Sequence, residues 1–186
     1  MDNNNGKIKL TECVLKNVYL KLADVSDSQS LFEVMDRDRL YLRTFLPFID
    51  GTKSPDDTKS FIEMMSCGPA KEPLYVITKG KESIGLIGFK STDVENHRTE
   101  IGYWLAESFQ GKGIMTNAVK MLCKMAFEKM NINRVQIKCA IDNIPSRKIP
   151  KRLGFKPEGI ERDGELLISG YTDIAVYSLL KNEFSV

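Results

Sequence analysis

The stretch "FQGKGIMTNAVKMLCKMAFEKM", Phe109–Met130, opens on two glycines flanking a lysine and runs without a break into a long helical pattern of apolar residues. A helix start exposes four unpaired backbone N–H groups and about half a unit of positive charge. Glycines placed just before it let the chain curl until those N–H groups converge on one anion. Gln110-Gly111-Lys112-Gly113 therefore has the make-up of a phosphate site, with Lys112 as a mobile cation and Thr116 as a hydroxyl donor on the first turn. The same glycines would also serve a plain strand-to-helix turn, and the loop alone does not separate the two. Nucleotide signatures fit worse. GxxxxGK[ST] is absent, and GxGxxG fails because Thr116 and Asn117 stand where its last glycine belongs.

Composition narrows what surrounds this loop. With 186 residues, 42% apolar and 28% charged, the chain can bury one good core and is too short for two, so one domain over 1–186 is expected, its first ten residues or so flexible. The 27 basic and 25 acidic residues are scattered, leaving a net charge of +2 and no basic stripe; nucleic acid is not an expected partner. Cys13, Cys67, Cys123 and Cys139 lie far apart with no CxxC pair, which suits a reducing cytoplasm. The start, MDNNNGKIKL, has no apolar core of a signal, and no run approaches the roughly 18 apolar residues of a membrane span. A cytoplasmic protein without a membrane partner is the expectation.

The pattern predicts a strand at Val18–Leu22, then a helix capped by a Ser26-x-x-Gln29 box and carrying Leu31, Val34 and Met35. Ser54-Pro55-Asp56-Asp57 starts another helix, with Phe61, Ile62 and Met65 on its apolar side. Leu74–Thr78, Ser83–Phe89 and Thr99–Leu105 form a hairpin-joined meander. After the long helix come a strand at Arg134–Ala140, a short helix at Ser146–Leu153, and closing strands around Glu158 and at Ile174–Leu180. This is a mixed α/β sheet.

Few side chains offer other chemistry. His97 is the only histidine and sits in a polar turn, so a histidine-based triad or zinc site lacks its members, and no metal is expected. Cys139 ends a strand near Asn143 and reads as a buried small hydrophobe rather than a nucleophile. Met121, Met125 and Met130 suit core packing. Asn143 and Ser146 have the spacing of a turn and a helix cap, and both a structural and a chemical role stay open for them.

From Glu100 to Gly164 the sequence resembles the core of the GNAT N-acetyltransferases, specifically the RimJ/RimL type that acetylates the N-termini of ribosomal proteins. The resemblance rests on the Gln-x-x-Gly-x-Gly/Ala loop at Gln110–Met115, the Asn-x-x-Ser of Asn143 and Ser146, Leu153-Gly154-Phe155, and the run from Asp173 to Leu180. It covers about Val18 to the end, most strongly after Thr99. Met115 fills the last small-residue position of the loop, where this group often carries a larger residue.

The resemblance implies a mostly antiparallel central sheet of about seven strands flanked by helices, with a splayed pair of strands that admits acetyl-CoA. The pyrophosphate would lie on the N–H groups of Gln110, Gly111, Lys112, Gly113, Ile114 and Met115, and pantetheine along Ile101–Ala106. Amides near Trp104 and Leu105 would face the thioester oxygen, where a well-aimed donor is worth about 3 kcal/mol. Asn143 would hold the pantetheine amides, and Ser146 would protonate the departing sulfur. Glu165 matches a position at which some members carry a carboxylate acting through water, and Glu100 begins the strand beside the thioester; either is a candidate base or a solvated acid.

The acceptor follows from proton affinity. An α-amine, with a pKa of about 7.7 to 8.0, is roughly a tenth neutral at pH 7, whereas a lysine at about 10.4 is neutral less than about once in a thousand. With only glutamates as candidate bases, the site suits an N-terminal or other low-pKa amine better than a lysine side chain, and the resemblance makes a protein N-terminus the expected acceptor. Two alternatives stand beside it: a small amine such as a polyamine or antibiotic, and a non-enzymatic acyl-CoA-binding module. Acceptor preference is expected in Tyr41–Asp57, which the motifs do not constrain. Family members often dimerise, which puts a homodimer among the expected assemblies.

Overall fold

A computed structural model of the chain describes residues 6–11, 14–67 and 72–185. Eight strands form one sheet: β1 (Ile8–Lys9), β2 (Val18–Leu22), β3 (Leu74–Lys79), β4 (Glu82–Asp93), β5 (Arg98–Leu105), β6 (Arg134–Ala140), β7 (Lys156–Leu167) and β8 (Gly170–Leu180). Their order is β1-β2-β3-β4-β5-β6-β8-β7, and every neighbouring pair is antiparallel except β5–β6. The expected count of about seven becomes eight because Ile8–Lys9 pairs with Leu20 and Tyr19. Of the ten residues expected to be flexible, 1–5 lie outside the described residues, and the next few contain this short strand.

The helices are α1 (Ser28–Arg37), α2 (Arg39–Leu42), α3 (Pro55–Cys67), α4 (Ile114–Lys129) and α5 (Ile144–Arg152). The start of α1 differs from the expected box. Asp24 accepts from the Ser26 N–H at 2.9 Å while Asp27 accepts from the Asp24 N–H at 2.9 Å, and Gln29 donates instead to Glu33. Two carboxylates, stronger acceptors than a hydroxyl or an amide, box a short 3-10 turn, Val25–Asp27, whose N-cap lies two residues before Ser26, and α1 follows with Asp27 at its N-cap and no side-chain cap bond. Before α3, Ser54 and Asp57 exchange backbone and side-chain bonds as the pattern predicts.

In α4 the buried residues Ala118, Val119, Leu122, Cys123, Ala126 and Phe127 recur three and four apart, so one helical stripe packs into the core. Met121, Met125 and Met130 are only partly buried and pack on the edge of that core. The fully buried Ile77, Ile84, Ile87, Phe89 and Ile101 carry it across the sheet.

One irregularity positions everything that follows. β5 and β6 pair in parallel only at Arg98–Glu100 with Arg134–Gln136. Beyond that point Ile101–Leu105 stays in register with β4, and Ile137–Ala140 with β8, so the two strands part. The break in register nearby lies in β4 between Lys90 and Asp93, where Ser91 takes a φ of 53°. The splayed pair is there, with its bulge on the neighbouring strand.

Candidate active site

Where β5 and β6 separate, two cavities meet. The first, about 540 Å³, runs from Tyr103, Trp104 and Leu105 over the whole loop Gln110–Thr116 to Asn143, Ser146 and Arg152. The second, about 400 Å³, lies between α3 and the sheet and takes in Lys90, Glu100, Lys138 and Glu165. Tyr103, Trp104, Asn143 and Ser146 line both. Every site residue expected from the sequence borders one cavity or the other.

The loop Gln110–Thr116 lines the first cavity and leads into α4 through two left-handed glycines. Gly111 and Gly113 have φ of 70° and 75°, values that L side chains rarely adopt, and Gly113 is the N-cap of α4. A Cβ on Gly111 would meet nothing within 4 Å, so it is the φ alone that favours glycine there. Ile114 and Met115 are buried and line the first cavity. Lys112 is not a loose cation. Its Nζ donates to the Ser108 carbonyl at 2.6 Å and lies 5.3 Å from the centre of the Phe109 ring. Gln110 donates to the Tyr41 hydroxyl, tying the loop to α2.

On β5, the Ala106 N–H returns to the Ile84 carbonyl on β4 at 2.8 Å. Successive N–H groups of a strand point to opposite edges, so the Leu105 N–H is directed into the gap. The Trp104 indole is buried, and its N–H has no partner among the described residues. It forms a wall common to both cavities and also belongs to the core.

Asn143 caps α5, its side chain accepting from the Ser146 N–H at 3.1 Å. The helix thus begins at Ile144, and Ser146 stands in its first turn with its hydroxyl free of capping duty. That hydroxyl donates to Cys139 Sγ at 3.3 Å, and the Tyr103 hydroxyl lies 3.1 Å from it. With its own proton on sulfur, Ser146 is the acceptor from Tyr103. Arg147 holds the end of β6 in place through the Ile141 carbonyl at 2.6 Å and the Tyr177 hydroxyl at 3.1 Å.

Burial pushes both the Tyr103 phenol and the Cys139 thiol up, so each stays protonated. A neutral Cys139 is a poor nucleophile, in keeping with direct transfer. Tyr103 was not among the residues marked by sequence; its only signal is its place on the strand that splays.

In the second cavity Lys90 holds the buried Glu100 at 2.8 Å. Glu165 has no ion pair among the described residues. Burial raises its carboxyl above the usual range, Lys90 opposes that and Glu100 reinforces it. Of the two glutamates, Glu165 is the one without an ion pair among the described residues.

The comparisons with known proteins agree with this geometry. The Acetyltransferase (GNAT) domain model matches residues 17–156. The ribosomal-protein-serine acetyltransferase of Escherichia coli (strain K12) is 30% identical, over 91% of this chain and 97% of its own. Among solved structures, the RimL ribosomal L7/L12 α-N-protein acetyltransferase, in complex with coenzyme A through a disulfide to one of its cysteines, superposes with a TM-score of 0.84 at 27% identity, covering 94% of this chain and 97% of that one. The microcin C7 self-immunity acetyltransferase MccE, in complex with acetyl-CoA and AMP, does so with a TM-score of 0.85 at 27% identity, covering 95% and 97%. A phosphate-shaped loop at a helix start, a strand pair that opens beside it and a sequence match over most of the length converge on one assignment: the chain belongs to the GNAT acetyltransferase family.

Proposed function

We propose that this protein transfers the acetyl group of acetyl-CoA to the N-terminal α-amine of a protein, with ribosomal proteins as the acceptor class. The observation that carries the reading is the meeting of two cavities at Ser146, one reaching the Gly111–Gly113 loop and the other holding an unpaired carboxylate. The pyrophosphate of acetyl-CoA fits the helix N-terminus, and its thioester fits the gap between β5 and β6. The acceptor amine enters from the second cavity.

The neutral amine attacks the thioester carbonyl, forming the C–N bond as the C–S bond breaks. The Leu105 N–H is directed at the gap in which the carbonyl oxygen gains charge, and such a donor contributes about 3 kcal/mol. Ser146 passes its proton to the departing sulfur and takes one back from water, while Tyr103 donates to Ser146 and keeps the serine proton aimed away from itself. Glu165 takes the proton released by the amine, directly or through water. The Cys139 sulfur that now accepts from Ser146 occupies the role the CoA sulfur would take. The likeness to RimL and to the Escherichia coli ribosomal-protein enzyme supports the acceptor class, and the cytoplasm is where such acceptors are made. No described helix is long and apolar enough to cross a membrane.

The likeness to MccE, a self-immunity acetyltransferase bound to acetyl-CoA and AMP, supports a second reading in which the acceptor is an amine other than a protein N-terminus, such as a polyamine or an antibiotic. CoA release with an N-terminal peptide, its Nα-blocked counterpart and a polyamine separates them. For an α-amine acceptor, kcat/KM rises with pH and levels near about 8, where the neutral fraction saturates. Equal activity on the blocked peptide would refute the proposal, and a preference for the polyamine would install the small-amine reading.

A further inference from the structure

The acceptor cavity has two unlike walls. From the helical side come Phe45 and Phe48, in the connection after α2, and Phe61 of α3. From the sheet come Lys90, Glu100, Lys138 and Glu165, one from each of β4, β5, β6 and β7. Phe48 is 51% exposed and Phe61 40%, so neither ring is used up in the core. Isolated exposed apolar side chains are ordinary, but two large rings at one cavity facing a charged wall mark a binding surface.

The charged wall has a sign. Lys90 is paired with Glu100 at 2.8 Å and Lys138 with Glu161 at 2.5 Å, which leaves the Glu165 carboxylate over. The wall itself holds two lysines and two carboxylates, but both lysines are already bonded to a carboxylate, Lys138 to one outside the cavity, so Glu165 presents the unpaired charge. Such a wall attracts an ammonium and repels a phosphate.

We infer that this cavity selects polypeptide N-termini that carry a large apolar side chain within the first two residues, with the α-ammonium at Glu165 and the side chain against Phe48 and Phe61. The inference rests on the reading of the protein as an N-terminal acetyltransferase and names the kind of N-terminus it takes. In an extended chain consecutive side chains point to opposite faces, so an amine held at the sheet wall leaves one of the first two side chains facing the rings. A polyamine has no apolar side chain to offer them. A nucleotide could stack on them but would bring an anion to a negative wall.

The test uses the whole chain, acetyl-CoA and short peptides that differ only in their first two residues: Ser-Gly, Ser-Asp, Ser-Ile and Leu-Ser. Measured by CoA release, kcat/KM is expected to be at least about 10-fold higher for Ser-Ile and Leu-Ser than for Ser-Gly, as for other apolar subsites. In a Phe48→Ala/Phe61→Ala double variant that ratio falls toward one, while acetyl-CoA affinity by calorimetry is retained because neither ring lines its cleft. Phe48→Leu, which keeps an apolar side chain, preserves most of the ratio and guards against a folding artefact. Equal kcat/KM across the peptides, or a ratio that survives the double variant, overturns the inference and leaves the N-terminal reading standing. Failure to acetylate any peptide overturns the reading beneath it, and a preference for an amine-bearing nucleotide overturns both.

Discussion

Strand β6 pairs with β8 over its whole length, Arg134–Ala140, whereas on its other edge it pairs with β5 over only three residues before the two strands part. The closed edge is secured by side chains that reach across β8: Arg134 bonds Glu158, and Lys138 bonds Glu161 at 2.5 Å. The open edge gathers Tyr103, Ser146, Cys139 and the Leu105 amide around a gap. The same strand thus stabilises the fold on one side and leaves backbone and hydroxyl groups unspent for chemistry on the other. Damage to the open edge should appear in turnover with the fold kept, and damage to the closed edge in stability with turnover kept.

Ser146→Ala gives the largest expected effect on this contrast. Because an acid acts chiefly in the transition state, kcat should fall by roughly 10- to 1,000-fold with acetyl-CoA affinity little changed. Asn143 already caps α5, so the loss cannot be charged to the helix start. Unchanged turnover would return Ser146 to a structural role.

Glu165→Gln comes next, with kcat/KM reduced roughly 10- to 100-fold, at the low end for a general base because an α-amine needs little help. The pH profile is the sharper readout. Burial and Glu100 raise the Glu165 carboxyl, so in the parent the acidic limb lies above the ordinary glutamate value and activity appears as pH rises through it. That limb should vanish in Glu165→Gln, leaving the rise of the amine itself. Lys90→Met removes the opposing cation and should move the limb to higher pH.

Gly113→Val should weaken acetyl-CoA by about 10-fold or more, since a branched side chain at a φ of 75° distorts the N-cap and crowds the anion. The strain should cost about 1–3 kcal/mol of stability, visible in thermal unfolding. Normal affinity in the folded variant would remove the phosphate role from the loop.

Glu158→Gln, on the closed edge, should leave turnover alone. The Arg134 guanidinium, with help from the Ser178 hydroxyl, holds the Glu158 carboxyl down at about 2, against an ordinary value of 4.5. A depressed carboxylate stabilises the fold above the ordinary value and loses that contribution as pH falls through its folded value, so the parent and variant melting curves should converge between about pH 4.5 and about pH 2. Because Glu158 is well exposed, the difference at neutral pH should stay under about 1 kcal/mol.

Local rules carried the reading of this sequence a long way. Glycines before a long apolar helix announced the loop, and Ser54-Pro55-Asp56-Asp57 announced α3, because caps and turns are decided by neighbours in the chain. Ser26 lies inside a 3-10 turn instead of capping α1, because the carboxylates of Asp24 and Asp27, stronger acceptors than a hydroxyl, close a box around it. Tyr103 was silent for a different reason. As a strand residue it looks like any other aromatic, and its meaning depends on β6 turning away at Ile137, which only the assembled sheet decides. Glu100 and Glu165 looked alike as isolated acids until Lys90 was seen to occupy one of them.

The account stands most directly on where the acetyl group lands. A peptide that carries both a free α-amine and an internal lysine, incubated with the protein and acetyl-CoA at pH 7 and sequenced by fragmentation mass spectrometry, should carry acetyl on the α-nitrogen alone, with one CoA released per acetyl. Acetyl on the lysine Nε, or CoA release without peptide acetylation, would contradict it.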